Sequence, residues 1–170
     1  MIGGQARIQA RPFTNPNTLL ELQTPSGVAA VRGTDFGVIV DEAGKTSVGT
    51  VEGTVEVTAE SVTVTVDEGL ATLIRPGEPP TVPTRLDREL NLEWFQISRR
   101  GNTLALAGRI DPTNSLTYRN TEIPISPTGY FEQTVRLGSA NRSVVFVVQN
   151  PLGESREHRL NSWQFNDIER

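Results

Sequence analysis

The stretch GVAAVRGTDFGVIVDEAG, from Gly27 to Gly44, places an arginine, a glycine and an aspartate between two apolar runs. The apolar residues change parity across that interruption: Ala29 and Val31 are odd, whereas Phe36, Val38 and Val40 are even. Because side chains alternate between the two faces of a strand, both sets can face one core only if the chain gains a residue between them. We therefore predict a β-bulge at Gly33-Thr34-Asp35, with Arg32 or Asp35 bonded to nearby backbone.

The residues of this motif form the first candidate site, and they are Val31, Arg32, Gly33, Thr34, Asp35 and Phe36. A structural role is the simplest interpretation, and partner binding is the alternative. Catalysis finds little support elsewhere, since His158 is the only histidine and the chain has no cysteine. No nucleophile-elbow, zinc-protease or nucleotide-binding motif occurs. We therefore expect no enzymatic activity, no cofactor and no metal.

Carboxylates acting in pairs, as in glycosidases, are the remaining route to chemistry. The candidates are Asp35, Asp41, Glu42, Glu52 and Glu56. Asp41 stands just before Ala43-Gly44, where aspartate favours a turn, and alternation puts Glu56 on the solvent face of a strand. These positions predict architecture rather than acid–base chemistry.

Composition narrows the class of protein. The chain has 170 residues and a net charge of −4, so it offers no basic field for nucleic acid. Its longest apolar runs are about five residues, far below the roughly 20 needed to span a bilayer, and we predict no membrane span. The first residues lack the pattern of a signal peptide, so we expect any export segment to be absent from this chain.

The spacing of apolar residues predicts an all-β fold in two regions. Period-two alternation recurs at Val55 and Val57, at Val62, Val64 and Val66, at Leu104 and Leu106, and at Val144, Phe146 and Val148. The segment from Arg75 to Arg85 contains four prolines, which favour an extended linker. We predict a first module over 1–80, a linker over 81–85 and a second module over 86–170. About seven strands are expected in the second, near 91–98, 103–110, 115–118, 121–126, 130–137, 142–149 and 154–160.

The first module, over about residues 21–80, resembles the FecR domain family. The matching residues are Thr24, Pro25, Gly27, Val31, Gly33, Thr34, Phe36, Val38, Gly53, Val55, Gly69 and Gly77. The resemblance implies a twisted or solenoid-like β module of bacterial envelope proteins, some of which pass a signal from an outer-membrane receptor to a sigma factor. The cytoplasmic domain and membrane helix of the signalling members are not in this sequence, which favours a periplasmic or cell-surface binding role.

The second module, over about residues 86–160, is similar to bacterial immunoglobulin-like (Ig-like) modules. The residues that carry the similarity are Gly129, Tyr130, Phe131, Leu137, Gly138, Asn141 and Gly153. The resemblance implies a β-sandwich of two sheets.

Aromatic residues bracket this second module, at Trp94-Phe95 and at Trp163-Phe165. One interpretation is that one residue of each pair anchors the core. The other is that Trp94 and Trp163 stack against sugars.

These observations predict a non-catalytic interaction module of the bacterial envelope, periplasmic or at the cell surface. Its expected partner is another envelope protein or a cell-wall component, and its oligomeric state is left open. The alternatives are a carbohydrate-binding accessory module and a periplasmic sensor fragment of a sigma-factor signalling system.

Overall fold

A computed structural model describes residues 3–11, 18–138, 143–161, 164 and 168–169. Their contacts divide the chain into two compact units. The first comprises Met1–Arg88 together with Asn150–Glu154, and the second comprises Glu89–Gln149 together with Ser155–Arg170. Among the described residues, no helix is long and apolar enough to cross a membrane.

The first unit consists of two antiparallel sheets. Its strands are β1 (Gly4–Gln9), β2 (Leu20–Gln23), β3 (Val28–Val31), β4 (Asp35–Val40), β5 (Thr46–Glu52), β6 (Thr54–Ala59), β7 (Val62–Asp67), β8 (Leu70–Ile74) and β9 (Thr84–Arg85). One sheet has the order β1-β4-β5-β8-β9 and the other the order β2-β3-β6-β7. Strand β9 places the end of the proline-rich segment against β8.

The core of this unit lies between its two sheets. Alternate residues of each strand point into it, with Phe36 and Val48 from one sheet and Val55 and Val66 from the other fully buried. Most of the remaining members are small or β-branched, which suits side chains that pack on a pleated surface. The core thus follows the period-two pattern read from the sequence.

The outer face of the β4–β5–β8 region is also buried. Residues 150–154 lie across it, and Leu152 packs with Ala71 and Leu86. Gly37 and Gly49 pack closely against Pro151. A Cβ atom built on Gly37 would collide with the Pro151 backbone, and one built on Gly49 would lie 3.3 Å from the Pro151 Cβ. Both faces of this central part of the sheet are therefore covered.

The hairpin that joins β6 and β7 has two non-glycine residues with positive φ, Glu60 at 49° and Ser61 at 62°. This is the backbone of a type I′ turn, in which glycine is strongly favoured because it has no Cβ. We expect Ser61→Gly to raise the free energy of unfolding by about 0.5–1 kcal/mol. Ser61→Ala, which keeps a Cβ, should give no such gain, and denaturant unfolding compares the two. Equal effects of both variants would contradict the turn assignment.

The second unit is likewise a pair of antiparallel sheets. Its strands are β10 (Glu93–Arg100), β11 (Thr103–Arg109), β12 (Ser115–Tyr118), β13 (Thr121–Glu122), β14 (Tyr130–Arg136), β15 (Ser143–Gln149), β16 (Ser155–Asn161) and β17 (Ile168–Glu169). The sheet orders are β14-β11-β10-β17 and β13-β12-β15-β16. Leu104, Phe131 and Phe146 are central members of its core.

The prediction of an all-β fold is confirmed, because both units consist of packed antiparallel sheets. All seven strands predicted for the second region are present within a few residues, and β17 is an additional one. Pro124 follows β13, which is an edge strand of its sheet. The predicted module limits remain a prediction.

Candidate functional site

The VRGTDF motif is the place where the chain passes from one sheet of the first unit to the other. Strand β3 ends at Val31 in one sheet, and β4 begins at Asp35 in the opposite sheet. Gly33 lies between them with a φ of 129°, a conformation that side chains disfavour. The predicted irregularity at Gly33 is confirmed, but the predicted β-bulge is wrong. The parity changes because the two strands face one core from opposite sheets.

A register shift does lie nearby, in the neighbouring strand. Asp35 is opposite Glu52 and Phe36 is opposite Thr50, so Val51 is the extra residue. The shift leads directly into Gly53, whose φ of 83° marks a second passage between the sheets, from β5 to β6. The two crossings touch, because a Cβ on Gly53 would lie 3.0 Å from the Gly33 carbonyl oxygen.

Thr34 joins the two crossings through hydrogen bonds. Its hydroxyl donates to the Thr54 carbonyl oxygen at 2.9 Å, and its own carbonyl oxygen accepts from the Ala10 N–H at 3.0 Å. The side chain is buried, at 3% exposure. The buried Thr34 side chain therefore links the two crossings through its hydroxyl.

We expect Thr34→Val to destabilise the first unit by about 1–2 kcal/mol, because the part-buried hydrogen bond from the buried Thr34 side chain to the Thr54 carbonyl is lost. Thr34→Ser keeps the hydroxyl and should cost less. The comparison is made by denaturant unfolding, and an equal loss in both variants would show that the methyl group rather than the hydrogen bond matters.

Asp35 pairs with Arg7 of the neighbouring strand β1. The Arg7 Nε and Nη2 atoms donate to the two carboxylate oxygens at 3.0 and 2.9 Å, a bidentate geometry that is stronger than a single contact. The Asp35 side chain is 11% exposed, whereas that of Arg7 is 48% exposed. The sequence had suggested that Asp35 bonds nearby backbone, and the structure gives it a side-chain partner far away in the chain.

The hydrogen bond from Arg7 lowers the pKa of the Asp35 carboxyl below its ordinary value, and partial burial opposes this to a smaller extent. Because the folded-state pKa lies below the unfolded one, the stabilisation is present above the ordinary aspartate pKa of about 4 and is lost as the pH falls through the folded value. We expect the difference in unfolding free energy between the wild type and Asp35→Asn to shrink below about pH 4. Arg7→Gln should remove the same acid dependence. A pH-independent difference would contradict this account.

A polar cleft of about 380 Å³ opens beside the two crossings. Gln9, Arg11, Gly33, Asp35 and Glu52 contribute to its walls. A second, mostly apolar cleft of about 310 Å³ lies at the margin of the sandwich, between β1 and β2. Both clefts adjoin β1, whose residues are mostly exposed and which lies at the edge of its sheet.

The motif residues therefore divide between core and surface. Val31 and Phe36 are buried in the core of the first unit, and Arg32 is exposed. The structure brings Gly33, Thr34 and Asp35 together with β1, which the sequence did not predict. Nothing in the local pattern of β1 indicated that Arg7 faces Asp35, since their pairing depends on sheet order.

In the second unit, Trp94 is partly buried and packs against the core. Its ring meets Phe131 and Phe146 edge-on, with centroid distances of 5.7 and 5.3 Å. This placement favours the anchoring interpretation over sugar stacking. Trp163 and Phe165 lie outside the described residues.

A second aromatic feature was missed by the sequence reasoning. The register of β10 shifts between Trp94 and Gln96, and Phe95 is the extra residue. Its half-buried ring is nearly parallel to that of Tyr130, at 6.3 Å, and the Arg109 guanidinium lies over it at 5.2 Å. The adjacent Trp-Phe pair was the available signal, and sugar stacking at Trp94 and Trp163 stays a prediction.

The structure also places three other residues that the sequence offered as candidates for catalysis: His158, Asp41 and Glu56. The imidazole Nε2 of His158 is 2.7 Å from the Leu90 carbonyl oxygen. The Asp41 carboxylate accepts from the Lys45 N–H at 2.7 Å, as expected for a turn, and Glu56 is exposed on β6. Among the described residues, no group of three or more His, Cys, Asp or Glu is arranged to hold a metal ion.

Fold and site together define an antiparallel β-sandwich protein whose most distinctive motif holds a crossing between sheets. Residues 1–56 match the family model described as FecR protein, so this part of the chain, including VRGTDF, is similar to that family. The match supports the FecR resemblance that the motif indicated. Searches of curated proteins and of solved structures give no match.

Proposed function

We propose that the protein is a non-catalytic interaction module of the bacterial envelope, periplasmic or at the cell surface. Its FecR-like first unit would contact another envelope protein or a cell-wall component. The observation that carries the proposal is that the matched region, residues 1–56, contains the exposed edge strand β1 and both clefts beside it. Edge strands bind extended segments through main-chain hydrogen bonds.

The Arg7–Asp35 pair supports this assignment of the surface. It holds β1 against β4 through side chains on the outer face, so the strand is ordered before a partner arrives. A pre-ordered edge lowers the entropic cost of binding. The second unit, for which we propose an Ig-like module, fits the same class, because its two sheets have the orders β14-β11-β10-β17 and β13-β12-β15-β16.

Site-specific photocrosslinking tests the proposal in the cells that make the protein. A benzoylphenylalanine at Gln9, on β1 beside the polar cleft, should give discrete light-dependent products in the envelope fraction. The same group at Val82, which is 80% exposed and does not line the cleft, is the control. Recovery of the protein in the cytoplasmic fraction, or identical products at both positions, would refute the proposal.

If the partner is an outer-membrane receptor, the protein would act as the periplasmic sensor of a sigma-factor system, which is the finer role that the family match suggests. Identification of the Gln9 product by mass spectrometry separates a receptor from other envelope components. A product containing cell-wall material would exclude the sensor role.

Carbohydrate binding is the second candidate function. The observation that favours it is the stacked Phe95–Tyr130 pair. Parallel rings that remain partly exposed are suited to stacking on sugar faces. Titration with N-acetylglucosamine oligomers, followed by tryptophan fluorescence, tests it. Phe95→Ala should abolish binding while leaving the fold unchanged, and absence of any response in the wild type would exclude it.

A further inference from the structure

Strand β7 is the outer strand of its sheet and carries the palindromic sequence Val62-Thr63-Val64-Thr65-Val66. No strand among the described residues pairs with its far side. Val62 is 44% exposed, although the alternation places it on the same face as the buried Val66. This edge is thus uncharged along its palindrome, rich in β-branched residues and open.

Two other edge strands of the molecule, β2 and β16, carry features that block pairing. Strand β2 has Glu21 in its interior, and β16 contains a run of charged and polar residues: Arg156, Glu157, His158 and Arg159. Charges on an edge discourage the addition of another strand. Along β7 the first acidic residue is Asp67, at its end.

The hairpin geometry shows which backbone groups of β7 point outward. In a two-residue type I′ hairpin, the residues flanking the turn exchange hydrogen bonds, and here they are Ala59 and Val62. Bonded and non-bonded pairs then alternate, so the odd residues Thr63 and Thr65 direct their N–H and C=O groups away from β6. These groups are available to a further strand.

We propose that β7 pairs antiparallel with β7 of a second copy of the chain, around a twofold axis at Val64. The palindrome makes this pairing self-complementary, as a twofold interface requires. Thr63 would face Thr65 of the second copy in a hydrogen-bonded pair, and Val62 would face Val66 of the second copy on the core side. The exposed Val62 would then be covered, and the two four-stranded sheets would become one of eight strands.

The ends of this pairing set its strength. Glu60 and Glu68 lie two residues beyond the two ends of the palindrome, and the twofold axis brings Glu60 near Glu68 of the second copy. Like charges oppose association and are screened by salt. A single strand edge also buries less area than a stable interface needs. The dimer is therefore weak at low ionic strength and strengthens with salt.

Cysteine crosslinking tests the register, and the absence of natural cysteine makes each introduced thiol unique. In the proposed pairing, the two copies of residue 64 form a non-hydrogen-bonded pair with Cα atoms about 4.5 Å apart, within the range of a disulfide. Residue 63 lies off the axis, and its two copies are more than about 7 Å apart, beyond that range.

Under mild oxidation, Val64→Cys should form a disulfide-linked dimer at least about tenfold faster than Thr63→Cys. Because Thr63 is more exposed than Val64, random collision predicts the opposite order.

A backbone variant tests the same pairing without cysteine. Thr65→Pro removes an N–H that points away from β6, so the internal ladder is kept and the edge is blocked. Thr65→Val keeps the N–H and is the matched control. Sedimentation over about 10 µM to 1 mM protein should show dimers for the wild type and Thr65→Val but only monomers for folded Thr65→Pro. A wild type that stays monomeric at high salt, or equal crosslinking at positions 63 and 64, would overturn the proposal.

Discussion

Gly37→Ala should lower the free energy of unfolding by about 3 kcal/mol or more, one of the two largest effects we expect from a single substitution. A Cβ atom on Gly37 would collide with the Pro151 carbonyl oxygen and would lie 2.7 Å from the Pro151 carbonyl carbon and 2.8 Å from the Leu152 Cα. All three are backbone atoms, which cannot move aside by a change of rotamer. The segment 150–154 must therefore shift as a whole, or β4 must.

Gly4→Ala is the matched control, because it changes the same residue type on the adjacent strand β1 and its Cβ would meet nothing within 4 Å. We expect it to be neutral or to stabilise by up to about 1 kcal/mol, as alanine restricts the unfolded chain. Both variants are compared by denaturant unfolding. A small effect of Gly37→Ala would mean that residues 150–154 are not held against β4 in solution.

Asn150→Asp is the second substitution that we expect to lower the free energy of unfolding strongly. It lies in the same segment, residues 150–154. The Asn150 side chain is fully buried. Its Nδ2 donates to the Asp87 carbonyl oxygen at 3.0 Å and to the Glu154 carboxylate at 2.8 Å. Its Oδ1 accepts from the Leu152 and Glu154 N–H groups, both at 3.1 Å. Only an amide supplies donors and acceptors together in this shape.

Aspartate at position 150 would lose both donated bonds and bring a second carboxylate against Glu154. Burial of an unpaired charge beside a like charge is strongly unfavourable. We expect a loss of about 3–5 kcal/mol at neutral pH, compared with about 2–3 kcal/mol for Asn150→Ala, which leaves polar groups unpaired without adding charge.

The pH dependence distinguishes these two variants. The carboxyl introduced in Asn150→Asp would have a raised pKa in the folded state, so its penalty is present above that pKa and is relieved as the pH falls and the group becomes neutral. Asn150→Ala should show no such relief. Gln23→Glu, the same exchange on an exposed strand position, should stay within about 0.5 kcal/mol of the wild type. Equal losses for the alanine and aspartate variants would contradict the assigned hydrogen bonds.

The sequence predicted which residues form the candidate site, but it did not predict how they are arranged or what they contact. The change of parity around Gly33 revealed an irregularity, because apolar alternation records which face of a strand is buried. It could not tell a bulge from a passage between sheets, since both reset the alternation in the same way. The partner of Asp35 was also hidden, because Arg7 reaches it across a strand pairing that joins residues 28 positions apart.

The aromatic pair illustrates the same limit. Alternation required one of Trp94 and Phe95 to face inward, and the sequence contained no signal for which. The register shift in β10 settles it by turning Phe95 outward to Tyr130 and leaving Trp94 among core rings. A register shift is a relation between two strands, and nothing within the Trp94-Phe95 pair itself marks it.

What the sequence determined by itself was the all-β class, most strand positions, the turns and the FecR resemblance of the VRGTDF motif, because these depend on local periodicity and on backbone preferences of single residues. The tertiary structure alone decided that VRGTDF carries the chain between sheets, that Thr34 and Asp35 are tied to β1 and β6, and that residues 150–154 cover an outer face of the first unit. Those features depend on which distant strands become neighbours. Which strands become neighbours is set by the packing of the whole core. The local sequence of a stretch such as GTDF therefore predicts that the chain changes direction there, but it does not predict which strands it will contact.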